Sequence, residues 1–133
     1  MSYILLIEDN QDNADLIIRT LASTKVEIRH FMRGLEGSRE AGRERPSIIL
    51  LDFNLPDVDG RNLILTLKRS LSLGGAIAPP IVAVTARANH LEQTLAQRFG
   101  VDAFVSKPFE PKMLLELVTE LLEKDANRVK PEA

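Results

Sequence analysis

The most constraining stretch of this chain is Ile48-Ile49-Leu50-Leu51-Asp52-Phe53-Asn54-Leu55-Pro56-Asp57-Val58-Asp59-Gly60. Four consecutive Ile and Leu residues show no alternation of polar and apolar positions, which reads as a strand covered on both faces, as in a parallel sheet. Asp52 then sits at its carboxyl end. Beyond it, Pro56, Asp57, Asp59 and Gly60 are turn formers, and an amphipathic stretch follows. The segment is a strand-loop-helix unit with an acid at its mouth, the edge at which open α/β sheets bind ligands.

The rest of the chain repeats this unit. Tyr3 to Ile7 reads as a first strand, followed by Glu8-Asp9-Asn10 with Asn10 as a helix cap. Ala14, Ile17, Ile18 and Leu21 then fall on one helical stripe. Val26 to Phe31 alternates, which suits an edge strand. Arg33 to Arg43 predicts a short helix despite Gly34, Gly37 and Gly42, which lower helix propensity. After the central strand, Leu63, Ile64, Leu67 and Leu71 mark a third helix, and Gly74 to Pro80 forms a loop. Ile81 to Thr85 predicts a fourth strand. A fourth helix with Leu91, Leu95 and Phe99 on its buried face ends near Gly100. Ala103 to Lys107 predicts the fifth strand, and Pro111 opens a last helix with Leu114, Leu117, Val118 and Leu121 in a stripe. From Asp125 the sequence turns polar and is expected to fray.

Five such units in 133 residues predict one domain, a doubly wound α/β sandwich with five helices on the two faces of a five-stranded parallel sheet. A flavodoxin-like strand order, 2-1-3-4-5, fits an edge position for strand two. Composition excludes other classes. No apolar run approaches the roughly 20 residues of a membrane span, and the opening Tyr3-Ile7 run lacks the flanks of a signal peptide. The chain has no Cys, so it offers neither disulfide nor thiolate metal site, which suits a reducing cytoplasm. A formal net charge of -2 gives no reason to expect a nucleic-acid surface.

In that strand order the carboxyl ends of strands one, three, four and five lie about 4.8 Å apart. They deliver Glu8 and Asp9, Asp52, Thr85, and Lys107 to one edge. Clustered hard oxygens without His or Cys suit Mg²⁺ or Mn²⁺ rather than zinc. A carboxylate beside such an ion can act as a nucleophile on phosphorus, with Lys107 neutralising phosphoryl oxygens and Thr85 donating a hydrogen bond to one. His30 and His90 fall away from this edge and read as surface or edge residues, so a phosphoryl group must come from elsewhere. Crowding three acids should also raise the pKa of at least one of them.

Taken together, Glu8-Asp9-Asn10, Leu50-Leu51-Asp52, Leu55-Pro56, Asp59-Gly60, Val84-Thr85-Ala86 and Phe104-Val105-Ser106-Lys107-Pro108-Phe109 resemble the receiver domain of two-component response regulators over nearly the full chain. The resemblance implies a receiver domain over residues 1–124 and a polar tail over 125–133. It implies Asp52 as phosphoacceptor, Asp9 and Asp52 as direct Mg²⁺ ligands with the Asn54 carbonyl, and Glu8 acting through a bound water. Thr85 and Lys107 would contact the phosphoryl group, with Thr85 and Phe104 forming a switch that alters the surface of helix four, strand five and helix five. Asn54 and Arg87 would tune the phosphoryl lifetime, and the Lys107-Pro108 bond would be cis. The implied partners are a histidine kinase or histidine phosphotransfer protein and a downstream protein, without direct contact to nucleic acid or membrane.

Two other readings use the same residues. One is a scaffold of this fold that works unphosphorylated, against which the complete set of Glu8, Asp9, Asp52, Thr85 and Lys107 argues. The other is a phosphohydrolase of the haloacid dehalogenase type, which needs a second acid two residues after the first, where this chain has Asn54. No output domain follows the last helix in this sequence. The expectation is a unit that either hands its state to a partner or is cut from a longer protein, with Met1 favouring a natural start.

Overall fold

Each strand of the sheet is followed by a turn and a helix that packs back on the sheet, and the three inner strands are apolar runs of four or five residues. The computed structural model describes residues 2–86 and 89–129. Its elements are β1 (Ile4–Ile7), α1 (Gln11–Leu21), β2 (Ile28–Phe31), α2 (Gly34–Arg43), β3 (Ile48–Leu51), α3 (Gly60–Ser70), β4 (Ile81–Thr85), α4 (His90–Phe99), β5 (Ala103–Ser106) and α5 (Pro111–Arg128). All strand pairs are parallel, in the order β2-β1-β3-β4-β5. This is the expected doubly wound, flavodoxin-like sheet. Among the described residues no helix is long and apolar enough to cross a membrane.

The sheet divides the core in two, because alternate side chains of a strand point to opposite faces. On one face Leu5, Ile7, Ile49, Leu51 and Ala83 pack against Ala41 of α2, Leu63, Ile64 and Leu67 of α3, and Ala96 of α4. On the other, Ile4, Leu6, Ile48, Leu50, Val82 and Val84 meet Ala14, Ile17 and Leu21 of α1 and Leu114, Val118, Leu121 and Leu122 of α5. β1, β3 and β4 are buried along their whole length, whereas every residue of β2 is half-buried, as an edge position requires.

The glycines of α2 are placed for close approach rather than for helix propensity. A Cβ on Gly37 would lie 2.6 Å from Ile7 Cδ1, and one on Gly34 would lie 2.4 Å from Val58 Cγ2. The helix forms because packing outweighs the propensity cost of roughly 1 kcal/mol per glycine. Two expectations differ from the structure. Leu91 is 65% exposed, and the buried positions of α4 are Glu92 and Ala96; the Arg61 guanidinium of α3 donates to Glu92 Oε2 at 3.1 Å, which compensates that buried carboxylate. α5 also continues to Arg128 without fraying at Asp125, whose carboxylate is 1% exposed and accepts from Arg45 Nη1 and Nη2 at 3.0 and 2.9 Å.

Candidate functional site

The carboxyl edge of the sheet gathers its acids because β1 and β3 are adjacent and in register, Ile7 beside Leu51. The residues after them, Glu8-Asp9 and Asp52, therefore emerge side by side. The Asp52 N–H donates to the Ile7 carbonyl at 3.1 Å, continuing the ladder one step past the strand. Glu8, Asp9 and Asp52 each offer a carboxylate oxygen within 4.8 Å of the others. Glu8 is 1% and Asp52 7% exposed, while Asp9 faces solvent.

The turn after β1 is short because Asn10 caps α1, its side-chain oxygen accepting from the Asn13 N–H at 2.9 Å. The loop after β3 doubles back through an antiparallel bridge between Asn54 and Asp59. Asp59 caps α3 by accepting from the Arg61 N–H at 2.9 Å. Gly60 is indispensable to that fold-back, since a Cβ there would meet the Asp52 carbonyl at 2.5 Å and Phe53 Cα at 2.6 Å. Asn54 is exposed beside the acids, and its N–H points to Asp52 Oδ1 across a long 3.4 Å.

Lys107 crosses the edge from β5. Its ammonium donates to Glu8 Oε1 and, at 3.0 Å, to Asp52 Oδ2, and its side chain is 12% exposed. Its own N–H donates to the Thr85 carbonyl at 2.9 Å, which fixes the end of β5 against β4. Thr85 is fully buried at the end of β4, opposite Ser106. The Lys107-Pro108 peptide is cis, as the resemblance implies. Phe104 is half-buried on β5, with its ring 5.8 Å from that of Phe53 in an edge-on arrangement. Arg87, singled out in the sequence, lies outside the described residues.

Burial pushes the Glu8 carboxyl up from 4.5 to about 7, and the neighbouring Asp52 charge adds to the rise, against the pull of Lys107. The expected cause was like-charge crowding; removal from water is the larger one, because Glu8 is almost wholly buried. Burial works to lower the Lys107 ammonium, but the bonds to Glu8 and Asp52 outweigh it and hold it above its ordinary value. The set of three carboxylates, with no His or Cys among them, fits a hard divalent cation such as Mg²⁺.

Two residues beside the site carried no signal on their own. His30 Nε2 lies 2.7 Å from the Glu8 carbonyl, and since a carbonyl only accepts, the ring proton is on Nε2. Asp57, read from sequence only as a turn former, accepts from the Gly34 and Leu35 N–H groups at 2.9 Å each. Burial opposes its ionisation, yet those two N–H groups prevail and hold its carboxyl below the usual range. A clue to Asp57 existed: Arg33 precedes α2 and offers no capping side chain, so the cap had to come from elsewhere.

A family model described as "Response regulator receiver domain" matches residues 4–119. Transcriptional regulatory protein CreB of Escherichia coli is 32% identical over 119 residues, covering 90% of this chain and 50% of CreB. Polar-differentiation response regulator DivK of Brucella anthropi is 29% identical over 119 residues, 90% of this chain and 94% of DivK. The BeF3-activated N-terminal receiver domain of Klebsiella pneumoniae RstA superposes with a TM-score of 0.80 at 26% identity, over 91% of this chain and 98% of that one. The chain spans about half the length of CreB and of two further transcriptional regulators it matches, and nearly all of DivK.

Proposed function

The chain belongs to the response regulator receiver domain family, and on that premise we propose that it is a phosphorylation-controlled switch whose acceptor is Asp52. Domains of this family are signalling modules rather than dedicated enzymes. The observation that carries the assignment is the pair of hydrogen bonds that the Lys107 ammonium donates to Glu8 and Asp52, beside Asp9, at one sheet edge.

Asp52 is the acid that ends the central strand, and Lys107 holds one of its oxygens. The other oxygen, Oδ1, is free of the ammonium and is the nucleophile. It attacks the phosphorus of a phosphohistidine on a kinase or phosphotransfer protein. The P–O bond to Asp52 forms as the P–N bond breaks, and the imidazole leaves with the electron pair. Asp9, Asp52 and the Asn54 carbonyl would hold Mg²⁺ (or Mn²⁺), with Glu8 acting through a water. When bound, the cation neutralises charge on the transferring phosphoryl oxygens. Lys107 supplies the protein's own counter-charge, and the Thr85 hydroxyl donates to a phosphoryl oxygen once drawn toward it. Phe104, against Phe53, reports that movement to the surface formed by α4, β5 and α5, where a downstream protein reads the state. By the family resemblance, Asn54 and Arg87 tune how long the phosphoryl group lasts. The absence of Cys suits work in the cytoplasm.

Labelling with acetyl phosphate and Mg²⁺ tests the acceptor. Wild type gains one acid-stable, base-labile phosphoryl group, and Asp52→Asn gains none. Undiminished labelling of Asp52→Asn would transfer the role to another residue.

A further inference from the structure

Both loops that carry the acids are gripped from outside the site, and both grips come from the same corner of the fold, where β2 turns into α2. His30, the third residue of β2, donates from Nε2 to the Glu8 carbonyl at 2.7 Å, at the start of the acid turn after β1. Three residues after β2, the first two N–H groups of α2 bond both oxygens of Asp57, at the tip of the loop after β3. α2 has no side-chain cap of its own. The contact is tight as well as polar, since Gly34 leaves no room for a Cβ beside Val58, the residue after Asp57. The loop between Asp52 and Gly60 is thus closed at its base by the Asn54–Asp59 bridge and tethered at its tip to α2.

We infer that Asp57 and His30 are positioning residues: through the β2–α2 corner they hold the two acid-bearing loops in the arrangement that accepts the divalent cation. The inference rests on the metal-site reading above. A loop that is already held binds without first having to be ordered, so its affinity gains what a free loop would lose. Partners one step removed from metal ligands characteristically change affinity by 10- to 100-fold. Asp57 touches no ligand atom directly, so its effect belongs at the lower end.

The test measures Mg²⁺ Kd by calorimetry on the folded protein, well below each variant's melting temperature, together with amide hydrogen exchange. In Asp57→Ala, exchange at Gly34 and Leu35 accelerates and the Mg²⁺ Kd rises on the order of tenfold. Asp57→Asn keeps one acceptor oxygen and recovers part of the affinity. His30→Leu weakens binding in the same sense, and His30→Gln, whose amide still donates, recovers part of it. At saturating Mg²⁺ the labelling of Asp52 by acetyl phosphate is retained in all four. A merely structural role would lower the melting temperature with Kd unchanged, and that result overturns the inference. Wild type that binds no Mg²⁺ would instead overturn the metal site itself.

Discussion

Glu8 makes the stability of the metal-free protein depend on pH in an unusual direction. Its carboxyl rises from 4.5 to about 7 in the folded state, because the residue is 1% exposed. Between those two values the native state holds a proton that the unfolded chain has released, so stability falls as pH rises through the window. Below it both states are protonated and the group contributes nothing. Above it both are ionised, and the full cost of burying the carboxylate is present. At 1.36 kcal/mol for each tenfold change in proton affinity, the rise from 4.5 to about 7 gives a loss of about 3 kcal/mol between pH 4 and pH 8. Lys107 titrates above this window and does not alter the slope. Glu8→Gln removes the titration while its amide oxygen still accepts from the ammonium. The quantity to compare is therefore the change in ΔG of unfolding from pH 4 to pH 8, wild type against variant, which cancels any pH-independent packing effect of the substitution. Urea melts followed by circular dichroism, with chelator present, supply it; the chain has no Trp and one Tyr, so fluorescence is a poor reporter. Wild type should lose about 3 kcal/mol more than Glu8→Gln over that range. Parallel curves would mean that Glu8 is ionised at ordinary pH in the fold, and the burial argument would fail.

Other perturbations test separate parts of the structure. Mg²⁺ at a hundred times its Kd should stabilise wild type by about 2.7 kcal/mol, and Asp9→Asn should lose most of that gain in a thermal melt while standing no lower than wild type in chelator. Gly60→Ala should cost about 1–3 kcal/mol in a urea melt and slow labelling by acetyl phosphate, because the new methyl meets the backbone of Asp52 and Phe53, which cannot move aside. Gly42→Ala, with nothing within 4 Å of its Cβ, should stabilise α2 by up to about 1 kcal/mol. Arg45→Met should cost about 3 kcal/mol by stranding the buried Asp125 carboxylate, and most of the loss should return in Arg45→Met/Asp125→Leu.

The strands were legible because an uninterrupted apolar run has few alternatives: Ile48–Leu51 and Ile81–Thr85 are strands buried at every position. The edge character of β2 was legible from alternation. Glu8, Asp9, Asp52 and Lys107 could be brought to one place because each follows or ends a strand, and strand ends are located by topology alone. Reading failed where a residue's role depends on a partner distant in sequence. Leu91 looked like a core position by spacing, but α4 turns Glu92 inward because Arg61 is there to meet it. Asp125 looked like the start of a tail because its partner, Arg45, is 80 residues away. Asp57 was hidden for the same reason, since a side chain that caps someone else's helix resembles any other turn residue. Glycines misled only in weight: Gly34 and Gly37 weaken α2 as a helix and are what lets it seat against Val58 and Ile7.

The reach of Lys107 has a consequence for the life of the polypeptide before it is finished. The residue meets Glu8 across 99 positions of sequence and Asp52 across 55. Contacts of such separation are the most expensive in loop entropy and the last that a chain can make. On the ribosome, Glu8, Asp9 and Asp52 emerge long before β5, and until that strand lands the acids lack their counter-ion. A half-made chain therefore holds the three acids without the ammonium that bridges two of them. The acidic edge is thus completed in one step, with the docking of an edge strand.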